Sequence, residues 1–139
     1  MDCIFCKIIR GEVEAGKLYE DDNVLAFLDA NPITKGHSLV VTKQHFENIF
    51  DIDAEILKDV ITTGKKVTDM LQKSLGASGA NLINSSGKDA EQIIFHFHLH
   101  LVPRYENDLL NMHEWWHIKE RKITIDEQKS LAERIKNNN

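Results

Sequence analysis

The chain has 139 residues, the size of one domain, and a chain of that length buries a core without covalent staples. Hydrophobic residues make up 42% and charged residues 28%, which excludes collagen-like, coiled-coil and largely disordered classes. With 17 basic and 22 acidic residues the net charge is −5, a poor match to a broad nucleic-acid-binding face but compatible with a small anionic ligand in one locally positive pocket.

No stretch is apolar for long enough to span a membrane. The start, Met1-Asp2-Cys3-Ile4-Phe5-Cys6, lacks a basic segment, an apolar run and a cleavage site, so no signal peptide is read. The two cysteines sit three apart, a spacing that in a reducing compartment suits metal or redox chemistry better than a structural disulfide. The expectation is a cytoplasmic protein, single-domain over residues 1–139, with no membrane and no nucleic-acid partner.

Ile4, Phe5, Ile8 and Ile9 fit one face of a short N-terminal helix that Gly11 ends. Leu18 to Glu20 and Val24 to Leu28 read as strands around the turn Asp21-Asp22-Asn23. A loop from Asn31-Pro32 to Gly36 leads into a third strand, Ser38 to Thr42. Asp51 and Asp53 are candidate N-caps for a long helix whose apolar residues run from Ile56 to Leu71 and which stops near Leu75-Gly76. Asn81 to Asn84 is a short strand, Ser85 to Asp89 a polar loop, and Ile94 to Val102 the clearest strand. A terminal helix lies near Ile125 to Ile135, and the last residues, Lys136 to Asn139, are polar. Strands joined by short turns and one helix favour an antiparallel α+β domain.

Side chains alternate along a strand, so His96, His98 and His100 share one face while Phe95, Phe97, Leu99 and Leu101 share the other. Three of the seven histidines fall within five residues. That face is open to three readings. It is a solvated polar face, a metal site, or a nucleophilic and acid–base centre. Alternate strand residues lie roughly 6.5–7 Å apart, so three ligands on a straight strand converge poorly on one ion. Cys3-x-x-Cys6 has metal-ligand spacing, which a redox pair shares. The pair opens the chain instead of following a strand, which favours metal.

His96-Phe97-His98-Leu99-His100-Leu101-Val102 resembles the signature of the histidine triad family, three histidines alternating with apolar residues. Cys3 to Ile9 is similar to that family's start, Val24 to Asp29 to its ribose-contacting strand, and Gly36 to Val41 through His45 to its next block. The resemblance covers about residues 2–105, leaves 106–139 as a variable segment, and is nearest to the bacterial branch related to the Hint nucleoside phosphoramidate hydrolases. It implies an antiparallel five-stranded meander with one long helix, the sheet continued edge to edge across a homodimer. It implies hydrolysis or transfer at the α-phosphate of a purine nucleotide through a nucleotidyl-histidine. His98 would be the nucleophile, His100 would contact the phosphate and protonate the leaving group, and His37 would support the charge. Phe5, Ile8 and Phe27 would line the base pocket, Asp29 would accept from the ribose hydroxyls, and Asn84 would face the phosphate or leaving group. Cys3, Cys6, His45 and His96 would hold a structural zinc ion.

One departure concerns Ile93, which stands where the family commonly carries a hydroxyl residue that hydrogen-bonds the phosphate or leaving group. Gln92, Ser85, Ser86 or the loop backbone are the candidate substitutes. Diadenosine polyphosphate hydrolysis and a nucleotide-binding or zinc-stabilised interaction protein of little turnover are the alternative functions. Met112 to His117, with adjacent Trp115 and Trp116, reads as a pocket wall, a dimer contact or core packing. Arg104 reads as a surface arginine before a phosphate contact.

Overall fold

The computed structural model describes residues 2–116 and 122–138, apart from the side chains of Glu114 and Trp115. The backbone separates into two units, Met1–Asp108 and Leu109–Asn139. The first holds helix α1 (Ile4–Ile9), strands β1 (Lys17–Glu20), β2 (Val24–Leu28) and β3 (Ser38–Thr42), helix α2 (Ala54–Leu75), and strands β4 (Gly79–Ile83) and β5 (His98–Arg104).

All five strands pair antiparallel in the order β1-β2-β3-β5-β4. β1 to β3 form a meander. The chain then crosses one face as α2, lays β4 at the outer edge, and returns as β5 between β4 and β3. This is the five-stranded sheet with one long helix that the sequence implied.

Alternation along the strands divides the core between the two faces. Val24, Ala26, Val40, Leu99 and Leu101 pack with Val60, Val67 and Leu71 of α2. Leu25, Phe27, Leu39 and Val41 point the other way and pack with Phe5 and Ile8 of α1. His98 and His100, out of step with Leu99 and Leu101, therefore emerge on the α1 face. α2 approaches β5 closely through Gly64, where a Cβ would lie 3.2 Å from Leu99 Cδ2. Asp53 is its N-cap, accepting from the amides of Glu55 and Ile56. Asp51, the other candidate, instead accepts from Glu47 and Asn48 in the preceding turn. Gly76 ends α2 in the left-handed region.

The strand expected over Ile94 to Val102 begins only at His98. Its partner β3 ends at Thr42, and the first paired residues are Val41 and His98. Upstream, the Phe97 amide donates to the Phe46 carbonyl and the Ile94 carbonyl accepts from Gln92, so loop contacts replace the ladder. Phe95 consequently leaves the core face it was expected to share and is 44% exposed.

The second unit contains α3 (His113–Trp116) and α4 (Ile125–Asn137). Thr124 and Glu127 cap α4 reciprocally, a capping box that fixes its start. Trp116 is exposed; the Trp115 side chain and His117 lie outside the described residues.

Candidate active site and metal-ligand cluster

β5, the segment before it, the loop ahead of β3, and α1 bring the sequence-derived site residues into two adjoining groups. A cavity of about 540 Å³ lies between α1 and the sheet. Phe5, Ile8, Phe27, Asp29, His98 and His100 line it, together with Leu39, Ile94, Val13 and Glu14. Phe5 is the hinge of this wall. Its ring meets Phe27 edge-on at 5.7 Å and His98 at 5.1 Å.

Each histidine has a partner that fixes its proton. His98 donates from Nδ1 to the carbonyl of His96 at 2.7 Å, which leaves Nε2 with a lone pair. His37 accepts the amide of Ile33 at Nδ1 (3.0 Å), so its proton sits on Nε2. That Nε2–H donates to Nδ1 of His100 at 2.9 Å, which in turn puts the His100 proton on Nε2. The site thus pairs an imidazole with a bare Nε2 and an imidazole with an Nε2–H, their rings 5.0 Å apart. Burial holds all three neutral. It pushes His98 and His37 below the ordinary imidazole value and His100 down to about 4.

Asp29 accepts the amide of Asn31, and its other carboxylate oxygen lies 3.6 Å from His37 Nε2. Asn84 does not line the cavity. Its amide donates to the His98 carbonyl and its oxygen accepts from Ser86, so it braces the strand behind the nucleophile candidate. Gln92 is turned inward and buried. Its amide hydrogens go to the carbonyls of Glu47 and Ile94, and its oxygen accepts the Gly87 amide, so its polar atoms hold the loop. Ile93 is 89% exposed. Arg104 makes a two-pronged pair with Asp108 and reaches Asn81, away from the cavity.

Beside this site, Cys3, Cys6, His45 and His96 offer one ligand atom each, all within 4.8 Å of one another. The His96 Nδ1 lies 3.3 Å from Cys3 Sγ and 3.5 Å from Cys6 Sγ, and His45 Nδ1 lies 3.4 Å from Cys6 Sγ. Bond lengths of about 2.3 Å to sulfur and 2.0 Å to nitrogen in a tetrahedron place S and N about 3.5 Å apart, so the set fits a metal ion. His96 donates from Nε2 to the Thr42 carbonyl at 2.7 Å, which turns the lone pair on Nδ1 to the thiols. Burial lowers His96 to about 4 and raises the Cys6 thiol. His96 thus lies in a cluster that could hold a metal ion, while His98 and His100 line the cavity, the division that the family resemblance implied.

The sequence did not indicate the Ile33 amide or the Thr42 carbonyl, because a backbone group has no residue signature. Ile94, Val13 and Glu14 on the cavity wall were equally silent, since apolar and acidic residues are common everywhere.

Residues 10–107 match the HIT domain family, and the chain belongs to that family. It is 49% identical over 106 residues to an uncharacterised HIT-like protein of Methanocaldococcus jannaschii, covering 76% of this chain and 81% of that protein. It is 40% identical over 109 residues to an adenylylsulfatase of Arabidopsis thaliana, covering 78% of this chain and 55% of that protein. A zinc-bound histidine triad protein from Mycobacterium smegmatis superimposes with a TM-score of 0.77 at 38% identity, covering 81% of each chain. The family includes nucleotide hydrolases and nucleotide-binding proteins. No described helix is long and apolar enough to cross a membrane.

The neutral histidines make stability depend on pH in a defined direction. The unfolded chain protonates His100 and His37 near 6.5, whereas the fold holds His100 at about 4 and His37 below its usual value. Their contribution is complete above about pH 6.5 and is lost as the pH falls toward 4. Urea unfolding at pH 7, 5.5 and 4.5 should give a steadily lower unfolding free energy, and His100→Asn should flatten that decline. An unchanged slope in the variant would contradict the assignment.

Proposed function

We propose that the protein hydrolyses purine nucleoside 5′-phosphoramidates or related nucleotides at the α-phosphate through a nucleotidyl-histidine intermediate. The observation that carries this reading is the bare Nε2 of His98 on the wall of a cavity whose other walls are aromatic and apolar. Phe5, Ile8 and Phe27 would sandwich the base, and Asp29 would accept from the ribose hydroxyls. Nε2 of His98 attacks phosphorus; the bond to the leaving group breaks as the nitrogen–phosphorus bond forms. The His100 Nε2–H gives its proton to the departing amine, and His37 supports the charge left on His100. Water then attacks phosphorus, its proton returns to Nε2 of His100, the nucleoside monophosphate departs, and His98 and His100 are both restored. Asn84 and Gln92 serve by holding the strand and loop on either side of the nucleophile.

Among the described residues lining the cavity, Glu14 and Asp29 are acidic and there is no lysine or arginine. A ligand with a single charged phosphate group suits such walls better than a diadenosine polyphosphate, whose several charges would go unpaired. The name of the Arabidopsis relative, an adenylylsulfatase, is consistent with attack on an adenylyl group.

The Cys3, Cys6, His45 and His96 set would hold structural zinc. The two thiolates would neutralise the ion's charge and the four ligands would close its coordination, so a bound ion would add stability and hold α1 to the segment before β5. The protein would act as a homodimer. β4 is an edge strand, and Ile61 of α2 and Leu82 of β4 are exposed apolar residues that a second copy would cover. Reduced cysteines suit a cytoplasmic setting.

Turnover of adenosine 5′-phosphoramidate should exceed that of diadenosine polyphosphate. His98→Ala should lose on the order of 10³-fold or more in kcat while keeping nucleotide affinity. Retention of a tenth of the activity in a clean preparation would remove the covalent role. Nucleotide that binds wild type and is never turned over would instead favour a binding protein.

Protein purified without chelator should carry about one zinc per chain. Acid should release it, and Cys3→Ser and Cys6→Ser should lower the Tm alike and non-additively, because either opens the same site. Absence of zinc, or a full equivalent in the cysteine variants, would end this assignment.

Light scattering at micromolar concentration should give twice the chain mass. A monomer there would remove the dimer.

A further inference from the structure

We propose that the backbone amide of Ile33 sets the direction of the proton chain through His37 and His100, and that Thr34 is the positioning residue that holds this amide in place. The catalytic consequence rests on the hydrolase reading above; the proton placement does not.

Asp29, His37 and His100 bring a carboxylate oxygen and two ring nitrogens within 4.8 Å of one another. Two imidazoles and a carboxylate are also a transition-metal ligand set. The Ile33 amide decides between the two uses. To ligate through Nε2, His37 would have to carry its proton on Nδ1. That proton would face the Ile33 N–H, now 3.0 Å from Nδ1, and two donors would oppose each other. An amide cannot give up its proton, so the conflict has no local relief. With the amide in place, Nδ1 of His37 accepts, Nε2–H donates to Nδ1 of His100, and the His100 proton is left on Nε2. His100 lines the cavity, so that proton is the one available to a ligand there.

The amide is held by its loop. The Thr34 hydroxyl donates to the Pro103 carbonyl at 2.7 Å, and the Thr34 carbonyl accepts the His37 amide at 3.0 Å. Pro103 lies on β5, three residues beyond His100. Thr34 therefore ties the amide that orients His37 to the strand that carries His100. The Asp29 amide donates to the His37 carbonyl at 2.9 Å and closes the other side of the loop. The Ile33 side chain is exposed and contributes no polar group; only its backbone is used.

Imidazole ¹⁵N spectra of the full, uniformly labelled chain at pH 7, recorded without substrate, test this. His37 and His100 should both carry their proton on Nε2. A His37 proton on Nδ1, or one averaged between its nitrogens, would overturn the proposal. A second equivalent of Zn²⁺ should leave both rings' signals in place; their displacement would assign the cluster to a metal and overturn it as well. Thr34→Val should let the His37 and His100 protons average between nitrogens and lower kcat on the order of tenfold with KM little changed, and Thr34→Ser should restore both. Wild-type proton positions in Thr34→Val would remove Thr34 from the role. Ile33→Ala keeps the amide and should keep the wild-type proton positions on His37 and His100; a moved His37 proton there would transfer the cause to the side chain and defeat the claim. An inactive protein with the stated proton positions would sink the hydrolase reading and leave this one standing.

Discussion

A neutral imidazole has one proton and two nitrogens, and the site depends on which nitrogen holds it. At each of the four histidines His37, His96, His98 and His100 a fixed neighbour makes that choice. Three of those neighbours are backbone groups: the Ile33 amide and the carbonyls of Thr42 and His96. Backbone groups cannot rotate away or titrate, so the proton pattern is as rigid as the sheet that supplies them. Burial completes the constraint by keeping the rings neutral. A protonated ring would need two acceptors, and at His37 the Ile33 amide, a donor, cannot be one of them.

The sheet turns this local rule into a site. β5 lies between β3 and β4, so its backbone is paired on both sides and its side chains are committed to one face or the other. Leu99 and Leu101 anchor it under α2, which holds His98 and His100 toward α1 at fixed depth. Gly64 permits the close helix approach, and Gly36 permits the turn into His37. At Gly36 φ is +90°, and a Cβ would lie 2.6 Å from Leu75 Cδ1.

α1 links the two groups of functional residues. It is six residues long and has no side-chain N-cap. Its position comes from what its side chains touch: Phe5 and Ile8 in the apolar cluster, and Cys3 and Cys6 beside His96 and His45. Phe5 lies between the two cysteines in sequence and packs edge-on against both His96 and His98. The wall of the cavity and the metal-ligand cluster are therefore faces of one short helix. His96 joins them a second time, since its ring faces the cysteines while its carbonyl accepts the His98 proton.

The sequence by itself determined the sheet and helices, the sharing of one face by His98 and His100, and the metal spacing of Cys3 and Cys6. Those features follow from periodicity and from residue types with few uses, both of which are local. It did not determine where β5 begins, because that depends on where its partner β3 ends. Strand alternation alone did not separate His96 from His98 and His100; the family resemblance did, by placing His96 with the two cysteines. Alternation assigns all three to one face, where the structure sets the His96 ring beside Cys3 and Cys6 and edge-on to Phe5, which also meets His98. The resemblance put Asn84 at the phosphate or leaving group, and Gln92 was a candidate substitute for the hydroxyl missing at Ile93. Their hydrogen bonds to the His98, Glu47 and Ile94 carbonyls come from chain segments as far as 45 residues away. The placement of each imidazole proton was decided by the folded structure, since three of the four groups that decide it are backbone amides or carbonyls, which carry no residue signature, and only the fold selects which of them face a histidine.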